Sequence, residues 1–332
     1  RKLEFLCGAA LAEQADCLVT VGAAQSNHCR MTAAAGAVLG LEVHLVLAAE
    51  ELAGEPGEAS GQAAASSLDT STVEAFLADA SAAATERVPT RKPTVAPTGN
   101  RLLSAMFGAT QHVTDNTDWT DLSADAFALA DELQAAGRHP YVIAAGGSTA
   151  VGAAGYVAAY AEIVNQCQQL GIEPAAIVHA TSSGGTHAGL VAGRAALKSA
   201  GQKGPRCVGV SVAKSPTVDD PGATAALAQA CLGVLGLSDV EVSRADIDVV
   251  HGFLGDGYAS PTREADAAIQ WAARRGAWVL DRVYTGKAMA GLLWMAADEE
   301  RFGVGEDVIF LHTGGQPAVF APGGAVAGIE SL

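Results

Sequence analysis

Three short polar loops hold the residues of this sequence that could do chemistry. The first is Gln25-Ser26-Asn27-His28, which sets a hydroxyl, an amide and an imidazole between an apolar run ending at Gly22 and an Ala-rich stretch. Ser26 could act as a nucleophile, relay a proton, or cap a helix, since Ser and Asn both favour helix starts. Exposed N–H groups at such a start would suit an anionic group. The second loop is Ser182-Ser183-Gly184-Gly185-Thr186, between an apolar run ending at Thr181 and a second helical stretch. Glycines let successive N–H groups converge, and a helix amino end adds positive potential, so a phosphate could be held there without Lys or Arg. A plain strand-to-helix turn would read the same way. The loop is neither Gly-x-Gly-x-x-Gly nor a Walker loop, which argues against a dinucleotide or ATP. The third group comprises Tyr258 in "GDGYASP", Tyr284, Thr285 and Lys287 in "LDRVYTGKAMAG", and His312 to Gly315 in "FLHTGGQPA". Tyr and Thr hydroxyls at strand ends could bond a polar ring or a carboxylate, although a lone Tyr is as readily a packed residue with its hydroxyl satisfied. His312 reads as a structural residue at a strand end. No His/Asp/Glu cluster has metal-ligand spacing, so no metal is expected. No Gly-x-Ser-x-Gly nucleophile elbow is present.

The elements that would position these loops alternate along the chain. Strands are expected in "CLVTVG", "EVHLVLA", "YVIAAGG", "AAIVHAT", "CVGVSVA" and "DVIFLHTGG". Helices are expected in "NHCRMTAAAGAVLG", "DAFALADELQAAG", "GAAGYVAAYAEIVNQCQQL", "HAGLVAGRAALKSAG" and "READAAIQWAARRG". Such alternation predicts an α/β fold with mostly parallel sheets. Ligands of such sheets bind beyond the carboxyl ends of strands, where Ser26 to His28 fall. Residues 51–100 break the rhythm: "GEPGEASGQAAASS" and "TERVPTRKPTVAPTGN" carry prolines and little apolar periodicity, which predicts a mobile excursion with one short helix at Val73 to Ala84.

The bulk composition narrows the function classes. The 332 residues are 49% hydrophobic and 17% charged, enough for one large or two moderate domains. Acidic residues outnumber basic ones 36 to 20, a net charge of -16 that argues against nucleic acid or an anionic membrane as partner. No uninterrupted apolar run reaches membrane-spanning length. The opening "RKLEFLCGAALAEQ" fits an amphipathic helix better than a signal peptide, because Leu3, Leu6, Ala10 and Leu11 recur at helical spacing and Glu4 and Glu13 interrupt them. The six cysteines form no Cys-x-x-Cys and read as reduced thiols of a cytoplasmic protein.

"QSNHCR", "AAGGSTAVGAAGYV", "SSGGTHAGL", "VYTGKAMAGL" and "LHTGGQPA" stand in an order and at separations that resemble the pyridoxal-phosphate enzymes that include D-cysteine desulfhydrase and 1-aminocyclopropane-1-carboxylate deaminase; "TGNRLLSAMFGA" matches a further family segment. The resemblance covers nearly the whole chain except roughly residues 54–96, which look like an insertion. It implies an α/β, two-domain fold like that of the tryptophan synthase β subunit (PLP fold type II), with three-layer parallel sheets. A smaller domain is expected at 3–137 and a larger cofactor-binding domain at 138–332, with pyridoxal 5′-phosphate between them. Carried over residue by residue, the resemblance implies that Ser183, Gly184, Gly185 and Thr186 hold the cofactor phosphate. Asn27 would bond the pyridine 3′-oxygen, and Thr313 the pyridine nitrogen. Ser26 would contact the substrate carboxylate or relay a proton, and Tyr258 and Tyr284 would line the substrate side. His28 and Thr285 would bear on specificity, and Thr285 and Thr313 are expected near each other.

Two positions separate the branches. Deaminases resembling this chain carry Glu after the tyrosine of "VYxGK" and Leu before the final Gly-Gly; here Thr285 and Thr313 stand there, as in the desulfhydrase branch, and "SNH" replaces "SNQ". The implied activity is β-elimination of D-cysteine to pyruvate, ammonia and hydrogen sulfide, in a homodimer. L-cysteate sulfo-lyase, the cyclopropane deaminase and a non-catalytic pyridoxal-phosphate or amino-acid binding protein are the alternatives. The family's Schiff-base lysine lies just before the "RKLE" helix, at whose Arg1 this chain begins, so an amino-terminal truncation is expected; Lys2 and Lys287 are not its equivalents. Ala23 stands where the family commonly has Gly, and Arg282 where it commonly has Pro.

Overall fold

The structure, a computed structural model, describes residues 1–48, 96–116 and 118–324. The expected insertion at 54–96, Ala96 apart, and its helix at Val73 to Ala84 lie outside the described residues. The described chain divides into two compact units, residues 7–146 with 320–323, and residues 1–6 with 147–319 and 324.

In the first unit four parallel strands, β1 (Cys17–Gly22), β2 (Glu42–Ala48), β3 (Thr110–Thr114) and β4 (Pro140–Ile143), lie in the order β3-β2-β1-β4. All six residues of the inner strand β1 are buried, as its unbroken apolar run requires when both faces are covered. The described helices are α1 (Lys2–Ala12), which begins in the other unit, α2 (Asn27–Leu39), α3 (Gly99–Met106) and α4 (Trp119–Ala135). Leu122, Ala126, Leu129 and Ala130 recur on one face of α4 and pack on Val19, Val21 and Val46. Gly40 ends α2 in the left-handed conformation (φ 71°), where a side chain would be strained. In α1 Leu6 and Ala10 are buried and Leu11 is exposed, so its apolar face is narrower than its sequence suggests.

In the second unit, β5 (Ala176–Thr181), β6 (Arg206–Ser211), β7 (Asp248–Val250) and β8 (Val308–Phe310) form a parallel sheet in the order β7-β6-β5-β8. Six helices are described there: α5 (Ala150–Leu170), α6 (Gly185–Ser199), α7 (Pro216–Asp219), α8 (Pro221–Val234), α9 (Arg263–Gly276) and α10 (Thr285–Ala296). Gly189 and Gly193, one turn apart on α6, meet Ala153 and Tyr160 of α5 where any Cβ would collide, so the two helices pack backbone to backbone.

The division differs from the expected boundary at 138. Strand β4 pairs with β1, Cys17 to Pro140 through Thr20 to Ile143, which keeps residues 138–146 with the first sheet. Among the described residues no helix is long and apolar enough to cross a membrane.

Candidate active site

The glycine loop follows β5. Gly184 adopts φ 80° and caps α6, whose first-turn N–H groups precede any intrahelical acceptor. The loop is clamped from two sides. Ser148 Oγ donates to Ser183 Oγ (2.7 Å) and accepts from Gly185 N (3.2 Å). Opposite, Ser215 Oγ donates to the Ser182 carbonyl (2.6 Å) and Thr217 Oγ1 to the Ser183 carbonyl (3.2 Å). A Cβ on Gly185 would lie 2.6 Å from Ser148 Oγ, and one on Gly184 would lie 2.7 Å from Thr217 Cβ. Both glycines therefore leave a cradle that no other residue would. Thr186 shares a hydrogen bond with the Tyr156 phenol. Because Ser183 accepts from Ser148, its own proton is left to donate. Backbone N–H groups and hydroxyl donors with no bulky side chain between them fit a phosphate ester. Helix α6 starts at Gly185, two residues ahead of the expected "HAGLVAGRAALKSAG" stretch.

The opening loop follows β1 in the other unit. Ser26 caps α2, its Oγ accepting from Cys29 N at 3.1 Å, so the capping alternative is realised, and its hydroxyl also bonds the Cys29 thiol. Burial pushes the Cys29 thiol up to about 12, which leaves it neutral and unreactive. Asn27 opens α2, and its Oδ1 accepts from Asn100 Nδ2 at 2.8 Å. Thr20 Oγ1 gives its one proton to the Ile143 carbonyl (2.8 Å), so it can only accept from His28 Nε2, 2.9 Å away. Neutral His28 is thus the Nε2–H tautomer.

The third group gathers around Asp281. This carboxylate is 1% exposed. Its Oδ2 accepts from Val283 N and Tyr284 N (2.9 Å each), and its Oδ1 from Thr285 N (3.0 Å) and Thr285 Oγ1 (2.7 Å). Gly315 packs on the same carboxylate. Thr285 is therefore a buried first-turn residue whose hydroxyl accepts from Asp281 N (2.9 Å) and gives its proton to Asp281 Oδ1, not a group free for a substrate. Thr313 is exposed on the loop after β8, and no hydrogen bond joins the two threonines. The Tyr258 and Tyr284 hydroxyls are hydrogen-bonded, with ring centroids 6.0 Å apart at 67°. Lys287, fully buried, donates to the carbonyls of Leu254 (2.6 Å) and Gly257 (3.4 Å) and so ties the Tyr258 loop to α10. Burial lowers its pKa, and Asp281 partly opposes that shift. Arg282 grips Asp266 of α9 with two bonds of 2.8 and 2.7 Å, which pins the turn before α10.

A buried histidine pair stands behind the glycine loop. His179 Nδ1 faces the Ala180 carbonyl (3.0 Å), which only accepts, so the proton sits on Nδ1 and Nε2 accepts from His187 Nδ1 at 3.1 Å. Burial lowers His179 to about 4 and His187 well below its ordinary value; the half-buried Lys2 ammonium also disfavours charge on His179. The unfolded chain would take up these protons near pH ~6.5, whereas the fold resists until about 4. Stability from the pair is thus complete above the unfolded value and is lost as pH falls through that window. His179 alone should cost ~2 kcal/mol at pH ~5 relative to pH ~8. His44 and His112, also lowered by burial, act in the same direction. The check is therefore the difference in urea midpoints between the two pH values, compared with a His179→Gln/His187→Gln variant, which should show a flatter dependence. An equally steep dependence in that variant would overturn the neutral pair.

Sequence reasoning singles out the glycine loop, Ser26, Asn27 and the two tyrosines but not Ser148, Asn100 and Asp281, which hydrogen-bond to Ser183, Asn27 and the Tyr284 N–H. Asp281 carried a signal, an acidic residue just ahead of a helix start. Among the described residues no group of His, Cys, Asp and Glu could hold a metal.

The sequence profile of the family described as "Pyridoxal-phosphate dependent enzyme" matches residues 75–314. The chain is 37% identical over 321 residues to D-cysteine desulfhydrase of Salmonella typhi, covering 97% of this chain and 83% of that protein. Among solved structures, an ACC deaminase homologue is similar with a TM-score of 0.75 at 31% identity, covering 97% of this chain and 81% of that one. A threonine deaminase from T.th. matches with a TM-score of 0.54 at 16% identity over 93% of this chain and 81% of that one, a likeness of fold alone. The two parallel four-stranded sheets and these neighbours bear out the α/β fold of PLP type II. With the profile spanning most of its length and a relative of 37% identity aligned almost throughout, the chain belongs to the family of pyridoxal-phosphate dependent enzymes.

Proposed function

We propose that the protein is a carbon–sulfur lyase that uses pyridoxal 5′-phosphate to convert D-cysteine into pyruvate, ammonia and hydrogen sulfide. The observation that carries this reading is the 37% identity to a D-cysteine desulfhydrase over 97% of the chain. When bound, the cofactor supplies an electron sink for the pair released as a Cα proton is lost. Ser183 and Thr186, with the N–H groups of Gly184 and Gly185, would hold its phosphate. Asn27 would donate to the 3′-oxygen of its ring, and Thr313 would bond the ring nitrogen. A neutral hydroxyl there need not maintain a protonated ring, and expelling sulfur asks less of the sink than opening a cyclopropane. Ser26, whose Oγ caps α2, would turn its hydroxyl from the Cys29 thiol to a substrate carboxylate. The Tyr258–Tyr284 pair can pass a proton between phenol oxygens toward a departing thiolate. His28, turned toward Thr20, and Thr285, bound to Asp281, act on specificity through the shape they give the loops. The reading includes a cytoplasmic homodimer: six free, buried thiols suit a reducing compartment, and the dimer follows the family resemblance.

The test is pyruvate release by the full-length protein, with the expected upstream lysine present, from D-cysteine, L-cysteate and 1-aminocyclopropane-1-carboxylate. D-cysteine should be turned over fastest. Faster release from L-cysteate would move the assignment to a sulfo-lyase, and release from the cyclopropane substrate alone would reject the desulfhydrase. Cofactor binding with no pyruvate from any of the three would leave a binding protein.

A further inference from the structure

We infer that Asn100 is a positioning residue that holds the Asn27 side-chain amide in one orientation, carbonyl inward and NH2 outward, so that Asn27 can only donate toward a bound ligand. The assignment starts from a group that cannot accept. Arg30 Nε lies 3.1 Å from one terminal atom of the Asn100 amide, and a guanidinium has donors only, so that atom is the oxygen. The other terminal atom is then the nitrogen, which agrees with its 2.8 Å approach to the Gln25 carbonyl, a pure acceptor. Its second proton points at Asn27, 2.8 Å away, so the Asn27 atom facing it is Oδ1. Both ends of the Asn100 amide are thus fixed independently, and Asn27 Nδ2 is left without a partner among the described residues. Turning Asn27 over would set NH2 against NH2 and strand a buried donor.

The structure builds Asn100 for this task. It is 1% exposed, its own N–H donates to Gln25 Oε1 (2.9 Å), and its carbonyl accepts from Ser104 Oγ (2.9 Å). Asn100 therefore ties the start of α3 to residues 25–30 and leaves no polar atom of its side chain for a ligand. The consequence rests on the reading above, in which Asn27 meets the anionic 3′-oxygen of the cofactor ring. An amide free to rotate would offer that oxygen an acceptor half the time; a locked one always offers a donor and favours the ionised ring oxygen.

Asn100→Asp tests the idea. The carboxylate keeps its contact with Arg30 but cannot donate to Asn27, which should turn its NH2 inward and its oxygen outward. In a titration with pyridoxal 5′-phosphate the dissociation constant should rise about tenfold or more, the loss of one hydrogen bond to a charged group. The absorption band of the 3′-hydroxyl form should grow at the expense of the ionised form. In an Asn27→Ala background the same change should move neither readout by more than about twofold. Wild-type affinity and spectrum in Asn100→Asp, or an equal effect without the Asn27 amide, would overturn the inference. A measurement on the unsubstituted protein removes dependence on how the variant folds. With its four asparagines labelled with nitrogen-15, the Asn100 NH2 should exchange slowly with solvent, and the Asn27 NH2 should exchange fast until cofactor is added and then shift. Slow exchange at Asn27 with no response to cofactor would refute the orientation. Failure of the unsubstituted protein to bind pyridoxal 5′-phosphate at all would instead overturn the functional reading, and this inference with it.

Discussion

Asp281→Ala should lower stability by about 3–5 kcal/mol and reduce turnover of D-cysteine, the largest stability loss expected of any single side chain near the site. The carboxylate receives four donors, three of them backbone N–H groups entering the first turn of α10. Each such bond to a charged acceptor contributes ~1.5–3 kcal/mol, but the four share one group and do not add. Alanine strands those donors in a buried place, removes the negative charge that favours a helix amino end, and takes from Lys287 the charge that favours its ammonium. Tyr284 is then no longer held by its own N–H, and its hydroxyl should drift from Tyr258. Thr285→Val, which removes one of the four donors and leaves the Asp281 N–H without its acceptor, should cost less, ~1–3 kcal/mol. Urea midpoints of the two variants decide the matter: equal losses would mean that Asp281 does not organise the turn. Tyr258→Phe should slow turnover with little change in stability, which separates the chemistry of the tyrosine pair from the scaffold that presents it.

The contrast between Asp281 and Asn100 shows what was legible before any coordinates. Strands buried on both faces announce themselves: Cys17–Gly22 and Glu42–Ala48 have the bounds that their apolar runs suggest, and Ala176–Thr181 differs by a residue. Strand β3, Thr-Gln-His-Val-Thr, has one strongly apolar residue and no alternation; it exists because β2 pairs with it and His112 stacks on His44. Helix α8 is capped by Asp220 with Pro221 at its first position, and its all-round Ala and Leu surface hides the period that marks a half-exposed helix. The boundary at 138 followed the end of a helix, whereas the pairing of β4 with β1 is fixed over 120 residues away in sequence. The site divides in the same way. Residues 182–186 form their cradle from local backbone and could be read. Ser148 and Asn100 act on partners 35 and 73 residues distant, and local spacing cannot express that. Position 285 separates the family branches that the sequence resembles, and spacing alone cannot show that its hydroxyl is given to Asp281.

Gly185→Ala should weaken pyridoxal 5′-phosphate binding by at least ~100-fold, the equivalent of two charge-assisted hydrogen bonds. The backbone of Gly185 is ordinary α-helix, so the constraint is space. The new methyl would sit 2.6 Å from Ser148 Oγ and 2.9 Å from Ser148 Cα, and the second atom is main chain that cannot rotate aside. Relief requires Ser148 and the loop to part, which breaks both the Gly185 N to Ser148 Oγ bond and the Ser148 to Ser183 bond. Ser183 then loses its orientation and the α6 N–H groups no longer converge. Overpacking of this kind typically costs ~1–3 kcal/mol of stability, small beside the loss of affinity. Gly184→Ala adds a left-handed residue (φ 80°) to a clash with Thr217 and should be at least as harmful. The damage should be confined to the phosphate end. Affinity for pyridoxal, which lacks the phosphate, should fall only a few-fold in Gly185→Ala. Adding Ser148→Gly removes the clashing Oγ and Cβ but leaves the main-chain Cα in place and takes away the clamp, so stability should recover only in part while affinity for the phosphorylated cofactor does not. Parallel titrations of the three variants with pyridoxal and its 5′-phosphate make the comparison. Equal losses for both ligands would show that the loop at 182–186 supports the fold without holding the phosphate.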